Sequence, residues 1–211
     1  MTNKDIFSNF MQNLPNYTDS LLKKFDQYND LILEHNTIIN LISRHTESSI
    51  WTSHFLDSIL PYDLMNLHNK KILDFGTGAG LPGIPIKIIY PSISLYLLEA
   101  KRKKSLCLKN IIEQLNLTNC YIINKRLEDI TSQYKVFFDI ILSRAIKIDK
   151  TILLNLLLIL KTSGRIILYK GQNFQSELKT LPIKEMKVNY HIAPKNNNIL
   201  GKRNYIIFEK V

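Results

Sequence analysis

The segment Ile72-Leu73-Asp74-Phe75-Gly76-Thr77-Gly78-Ala79-Gly80-Leu81-Pro82-Gly83 carries the densest chemical signal in the chain. An apolar run ends in a turn with four glycines and passes into a helical pattern. Glycine tolerates positive φ and lets a ligand lie close to the backbone. A strand-to-helix turn of this kind sits at the carboxyl end of a parallel sheet, where such sheets bind ligands. Gly78-x-Gly80-x-x-Gly83 matches the dinucleotide fingerprint, so NAD is one candidate. Gly76-x-Gly78-x-Gly80 after an acid is the methyltransferase spacing and the stronger match. Asp74 decides between them. Its charge repels a pyrophosphate and suits the amino group and sulfonium of S-adenosylmethionine. Glu99, ending the next apolar run, stands where an acid takes ribose hydroxyls, which both ligands carry.

Elements must hold these residues. Apolar positions from Leu21 to Ile39 recur in steps of three and four, an amphipathic helix within 18–42 with Thr18 or Asp19 as N-cap. A second helical stretch covers about 47–66, ended or bent near Pro61. From Lys71 the texture changes to short apolar runs at 71–75, 94–99, 120–123, 138–142 and 165–169, with helix candidates near 83–90, 101–116 and 149–161. Such alternation marks a parallel sheet covered on both faces. Met186–Ile192 and Asn204–Phe208 then read as an antiparallel edge hairpin joined by a polar loop, Ala193 to Arg203. The expected organisation is a helical extension over 1–70 and an α/β domain over 71–211.

The 211 residues suffice for a full hydrophobic core, and 45% hydrophobic content with 22% charged residues excludes a disordered or fibrous chain. A formal charge of +10 favours an anionic partner. Two isolated cysteines, Cys107 and Cys120, suggest neither a zinc site nor a disulfide framework, and no metal is expected. Without a secretory signal or an apolar run near 20 residues, a cytoplasmic protein is expected. Lys101, Arg102, Lys103 and Lys104 open a helix beside the sheet's carboxyl edge. A solvated charge run is the plain alternative; RNA-backbone contact is favoured, and Lys195, Lys202 and Arg203 carry the same two readings. His54, Asp57 and Ser58 share one helical face, a hydrogen-bond cluster rather than a hydrolase triad. Asp139 reads as a turn or capping residue.

The ordered set Asn40-Leu41, His54-Phe55-Leu56-Asp57-Ser58, Asp74 through Pro85, Ser143-Arg144-Ala145, Lys170-Gly171 and Gly201-Lys202-Arg203 resembles the RsmG (GidB) family over nearly the whole chain from about residue 20. The resemblance implies a class I methyltransferase fold, Rossmann-like and mostly parallel, with a helical extension. It implies transfer of a methyl group from S-adenosylmethionine to N7 of guanine 527, in standard rRNA numbering, of 16S ribosomal RNA. A monomer acting on the small ribosomal subunit is expected. By position, Gly76 and Leu81 match cofactor-binding residues, Leu127-Glu128 the pair bordering adenine, and Arg144 the arginine after the fourth strand. Together with Asp74, Gly78, Gly80 and Glu99 they form the expected cofactor set. Arg144 and Arg203 are the expected positioning residues for guanine or its phosphates, and no general base is expected. Glu99-Ala100 replaces the family's usual Asp-Ser, and Lys103-Lys104 its Lys-Arg. A methyltransferase with another acceptor, a nicotinamide-dependent oxidoreductase and a non-catalytic RNA-binding module are the alternatives.

Overall fold

The computed structural model describes residues 1–172, 174–181, 183 and 188–211. Seven strands form one sheet in the order β3-β2-β1-β4-β5-β7-β6. They are β1 (Lys71–Phe75), β2 (Ser94–Leu98), β3 (Cys120–Ile123), β4 (Phe138–Arg144), β5 (Leu160–Lys170), β6 (Val188–Asn197) and β7 (Gly201–Lys210). The first five are parallel; β7 runs antiparallel to both β5 and β6. The order reverses between β1 and β4, and a crevice opens at the carboxyl ends of strands flanking such a switch point.

Helices α4 (Gly83–Ile89) and α5 (Arg102–Gln114) follow β1 and β2, and α6 (Lys150–Ile159) precedes β5. Ahead of the sheet come α1 (Asn3–Gln12), α2 (Asp19–Asn36), a 3-10 turn (Arg44–Ser49), a π-helical turn (Trp51–Leu56) and the short α3 (Asp57–Ile59). The expected second helix is present over residues 50–59, π-helical in its middle and ending before Pro61, and α1 and α2 pack against it. They crowd five rings together: Phe7–Phe25 centroids are 4.8 Å apart and Tyr28–Phe55 rings stack at 5.2 Å, with Trp51 edge-on to Phe55 at 5.3 Å. Every residue of α4 is buried, including Lys87. That explains its lack of a polar stripe, because α4 is covered by the sheet on one side and by helices of the first 60 residues on the other.

The polar run Ala193–Arg203 is a correction to the expected loop. Pairing continues through Lys195↔Arg203 to Asn197↔Gly201, and the turn is only a few residues long. Ladder bonds use backbone groups, so an edge strand facing water needs no apolar alternation. Of the expected strand 186–192, Met186 and Lys187 lie outside the described residues, as does Pro182. The β5 strand also begins early: Phe138 pairs with Leu160 and Ile140 with Arg165, leaving an irregularity between them.

One apolar cluster joins Phe7, Phe25 and Phe55 to Ile72, Ile84, Leu95 and Tyr205. A second, on the opposite sheet face, holds Leu73, Ile141, Leu153 and Ile166. The helical layer and one face of the sheet therefore share a core. Trp51 is the single tryptophan and lies in that layer. Its fluorescence and the far-UV circular dichroism should report one coincident urea transition, whereas an earlier Trp51 transition would show an independently folding extension.

Candidate functional site

Asp74 closes β1 beneath the glycine turn. Its Oδ2 accepts from Thr77 Oγ1 at 2.6 Å and from the Gly83 amide at 2.8 Å, while Oδ1 has no hydrogen-bond partner. The residue is fully buried, and burial pushes its carboxyl up to about 6 despite those two bonds and Arg144. Asp74 is not among the residues lining the two cavities beside the turn. It opposes a dinucleotide in a different way. The Gly83 amide at the start of α4, where a pyrophosphate would bind, is already taken by Asp74. Pro82 and Pro85 have no N–H to offer, and the Ile84 and Ile86 amides bond Gly80 and Pro82 carbonyls.

The glycines divide by role. Gly80 has φ +94°, and a Cβ there would lie 2.4 Å from Ile84 Cδ1 and 3.0 Å from the Tyr28 hydroxyl. It is buried, and its lack of a Cβ serves packing against Ile84 and Tyr28. Gly78 has φ +60°, and its Cβ would meet nothing nearer than the Leu41 carbonyl at 4.0 Å. That open cradle faces a cavity of about 650 Å³ at the ends of β1, β2 and β3, lined by Gly76, Gly78, Glu99, Leu127, Glu128 and Ile152 among others.

Glu99 is buried on this wall and already oriented. Its Oε2 accepts from the Gly78 amide at 3.2 Å and Oε1 from the Lys101 amide at 2.8 Å. A carboxylate has about four acceptor sites, so capacity remains for two ligand hydroxyls. Leu127 is buried and Glu128 exposed at the far rim. Through Gly76, Gly78, Lys104 and Ile146 the cavity joins a second, about 260 Å³, lined by Leu81, Ser43, His54 and Arg144. Arg144 and Ala145 then connect it to a third, about 310 Å³, lined by Asp57, Lys170, Arg203 and Tyr205. The expected cofactor and positioning residues other than Asp74 and Gly80 line these three adjacent cavities, which share walls.

The helical layer supplies what sequence reading missed. Tyr28 reaches from α2 to donate to the Ala79 carbonyl at 2.8 Å, fixing the turn from above. Asn36 Oδ1 accepts from the Leu41 and Ile42 amides at 2.7 and 3.0 Å, setting the loop that walls the second cavity. Its signal was present: a polar residue at the i+4 position from Ile32 on an otherwise apolar face. Asp57 accepts from Arg144 Nη1 at 3.1 Å and from Arg203 Nε at 2.8 Å. Arg144 Nη2 lies 3.0 Å from His54 Nδ1. Burial, and then the Arg144 charge, pull His54 down to about 4, so Nδ1 accepts from Arg144 and Nε2 donates to Thr46 Oγ1 at 2.8 Å. Ser58 Oγ donates to the His54 carbonyl at 2.6 Å. The triad-like face is a clamp on arginines.

Lys101, Arg102 and Lys103 are exposed, whereas Lys104 is half-buried along the crevice. Lys202 is exposed on β7 and Lys195 bonds Asp63. Asp139 lies at the other end of the sheet, accepting from the Lys71 amide and the Lys161 ammonium at 2.8 and 2.9 Å.

Charge at position 74 costs stability, because a carboxyl raised in the folded state stabilises below about pH 4 and loses that contribution as pH rises through about 6. Asp74→Asn, which keeps an acceptor for Thr77 and Gly83, should be no less stable than the parent at pH 8, and its relative advantage should shrink at pH 5. Asp74→Ala strands both donors and should cost about 1–3 kcal/mol for each. Thermal denaturation of the three proteins at both pH values checks this.

Comparison with known proteins follows the same lines. The model of the GidB family, rRNA small subunit methyltransferase G, matches residues 21–204. Ribosomal RNA small subunit methyltransferase G of Mycoplasma capricolum is 36% identical over 209 residues, covering 96% of this chain and 90% of that protein. The protein of the same name from Carboxydothermus hydrogenoformans is 33% identical over 199 residues, covering 90% and 83%. Among solved structures, precorrin-6Y C5,15-methyltransferase from Geobacter metallireducens superposes with TM-score 0.57 at 13% identity, over 74% of this chain and 88% of that one. A SAM-dependent methyltransferase from Aquifex aeolicus gives 0.56 at 11% identity, over 74% and 89%. These two likenesses show the fold. With the family model matched across most of its length, the chain belongs to the GidB family, rRNA small subunit methyltransferase G.

Proposed function

We propose that the protein transfers a methyl group from S-adenosylmethionine to N7 of a guanine in 16S ribosomal RNA, the guanine at position 527 of standard rRNA numbering. Family membership supports the small-subunit rRNA as substrate. The observation that carries the rest is the row of three adjacent cavities with shared walls. Gly76 and Gly78 lie on the wall between the cavity of Glu99 and that of Arg144, which in turn opens toward Arg203.

The residues fit the cofactor. Glu99 would hold the ribose hydroxyls, Leu127 and Glu128 would border the adenine, and the open cradle at Gly78 leaves room for a ligand against the backbone. Gly76 and Leu81 would flank the amino-acid end, with Asp74 and Gly80 shaping the turn from below. Bound there, S-adenosylmethionine supplies an electrophilic methyl group on a sulfonium. Guanine N7 has an in-plane lone pair and no proton to lose, so no side chain must act as base. His54 has both ring nitrogens committed to Thr46 and Arg144. What remains is alignment and charge.

Arg144 is held at three points, by Asp57, His54 and the Ser53 carbonyl. Arg203 keeps its terminal nitrogens for a phosphate or guanine O6. Lys101, Arg102, Lys103 and Lys202 would contact the RNA backbone. In support, the first three crowd the start of α5, where cations oppose the helix dipole, and make no ion pair among the described residues. No described helix is long and apolar enough to cross a membrane.

Incubating small ribosomal subunits that lack the modification with labelled S-adenosylmethionine should place label in 16S rRNA as 7-methylguanosine on nucleoside mass analysis. Label in another nucleoside, or in protein, would remove the assignment. Arg203→Ala should leave cofactor affinity unchanged while lowering methyl transfer by about tenfold or more.

A further inference from the structure

Asp57 stands apart from the cofactor cavity, yet both its oxygens are spent on arginines from distant strands. The residue is 8% exposed. Arg144 reaches it from the end of β4 and Arg203 from β7. Arg203 is bound only through Nε, so Nη1 and Nη2 have no protein partner among the described residues. Lys170, on the same cavity, is already spent on the Ile146 carbonyl and the Glu177 carboxylate. His54 is neutral. The fixed charge of the clamp is therefore two guanidiniums less one carboxylate, a single net positive charge.

That balance meets two opposed demands of the reaction proposed above, on which this inference rests. RNA phosphate calls for cations. Methyl transfer does not. The N7 lone pair forms the new N–C bond, the C–S electron pair returns to sulfur, and no proton moves. Positive charge leaves the sulfonium and arrives on the guanine ring. Two uncompensated guanidiniums would oppose its arrival, and a guanidinium N–H donating to N7 would block the nucleophile. Asp57 answers both. It offsets one of the two guanidinium charges, and with His54 and the Ser53 carbonyl it holds the Arg144 amino groups to the protein.

We propose that Asp57 is a positioning residue of methyl transfer, setting the orientation of Arg144 and Arg203 and supplying the negative charge that lets the bound guanine become cationic. Asp57→Asn keeps the shape and one acceptor but removes the charge. Steady-state kinetics on undermodified small subunits should show kcat lowered by about ten- to a hundredfold. KM for the subunits should be unchanged or lower, because the site is then more positive, and cofactor affinity by calorimetry should stay within about twofold. Asp57→Glu, which restores the charge, should recover part of kcat, a pattern that a purely structural role does not produce.

Raised KM with kcat retained would assign Asp57 to RNA docking and overturn the proposal. So would unchanged kinetics, or Asp57→Glu no better than Asp57→Asn with thermal midpoints lowered in both. The parent enzyme separates the two levels of inference. If it makes no 7-methylguanosine in 16S rRNA, the function fails whatever Asp57 does; if it does and Asp57→Asn keeps kcat, only the role of Asp57 fails.

Discussion

Two hydrogen bonds to one oxygen of Asp74, from Thr77 and from the Gly83 amide, hold the strand-to-helix turn in the shape the crevice requires. They fold the chain back over the end of β1 and close the start of α4 to other anions. They also leave Gly78 with an open cradle beside Glu99. The bonds are sheltered because α4 and the helical layer exclude water from above, and that shelter is what raises the carboxyl. Burying the Asp74 charge carries a cost, met in part by these two bonds.

The helical layer belongs to the site as much as to the core. Tyr28 fixes the turn, Asn36 fixes the loop over the second cavity, and His54 and Asp57 hold the arginines. The geometry shows the helical layer orienting two arginines that reach it from β4 and β7. The charge of those two arginines is balanced from outside the sheet, by Asp57.

Much of this was legible in the chain. The apolar runs at 71–75 and 120–123 are the strands found, and those at 94–99 and 138–142 differ from theirs by a residue or two, because parallel strands buried on both faces need near-continuous apolar residues. Glu99 was placed by its position at a strand end. Asp74 was found for its type, but not its bonds to Thr77 and Gly83, since sequence shows a carboxylate and not the depth at which it lies. The long hairpin was hidden because Ala193–Arg203 pairs through its backbone. The partners of Asp57, 87 and 146 residues away, follow only from sheet order. Residue spacing reports a local face; it carries no record of which distant strand arrives there.

The aromatic cluster of the helical layer is continuous with the core beneath the glycine turn. A shared core makes occupancy of the crevice a thermodynamic matter for residues that never touch it. Ligand at a hundred times its dissociation constant adds about 2.7 kcal/mol to every opening that exposes the site. If Phe7 and Phe25 open only with the sheet, amide exchange in α1 slows when the nucleoside cavity fills, although α1 lies in another layer of the molecule. The first helix thereby becomes a reporter of cofactor binding.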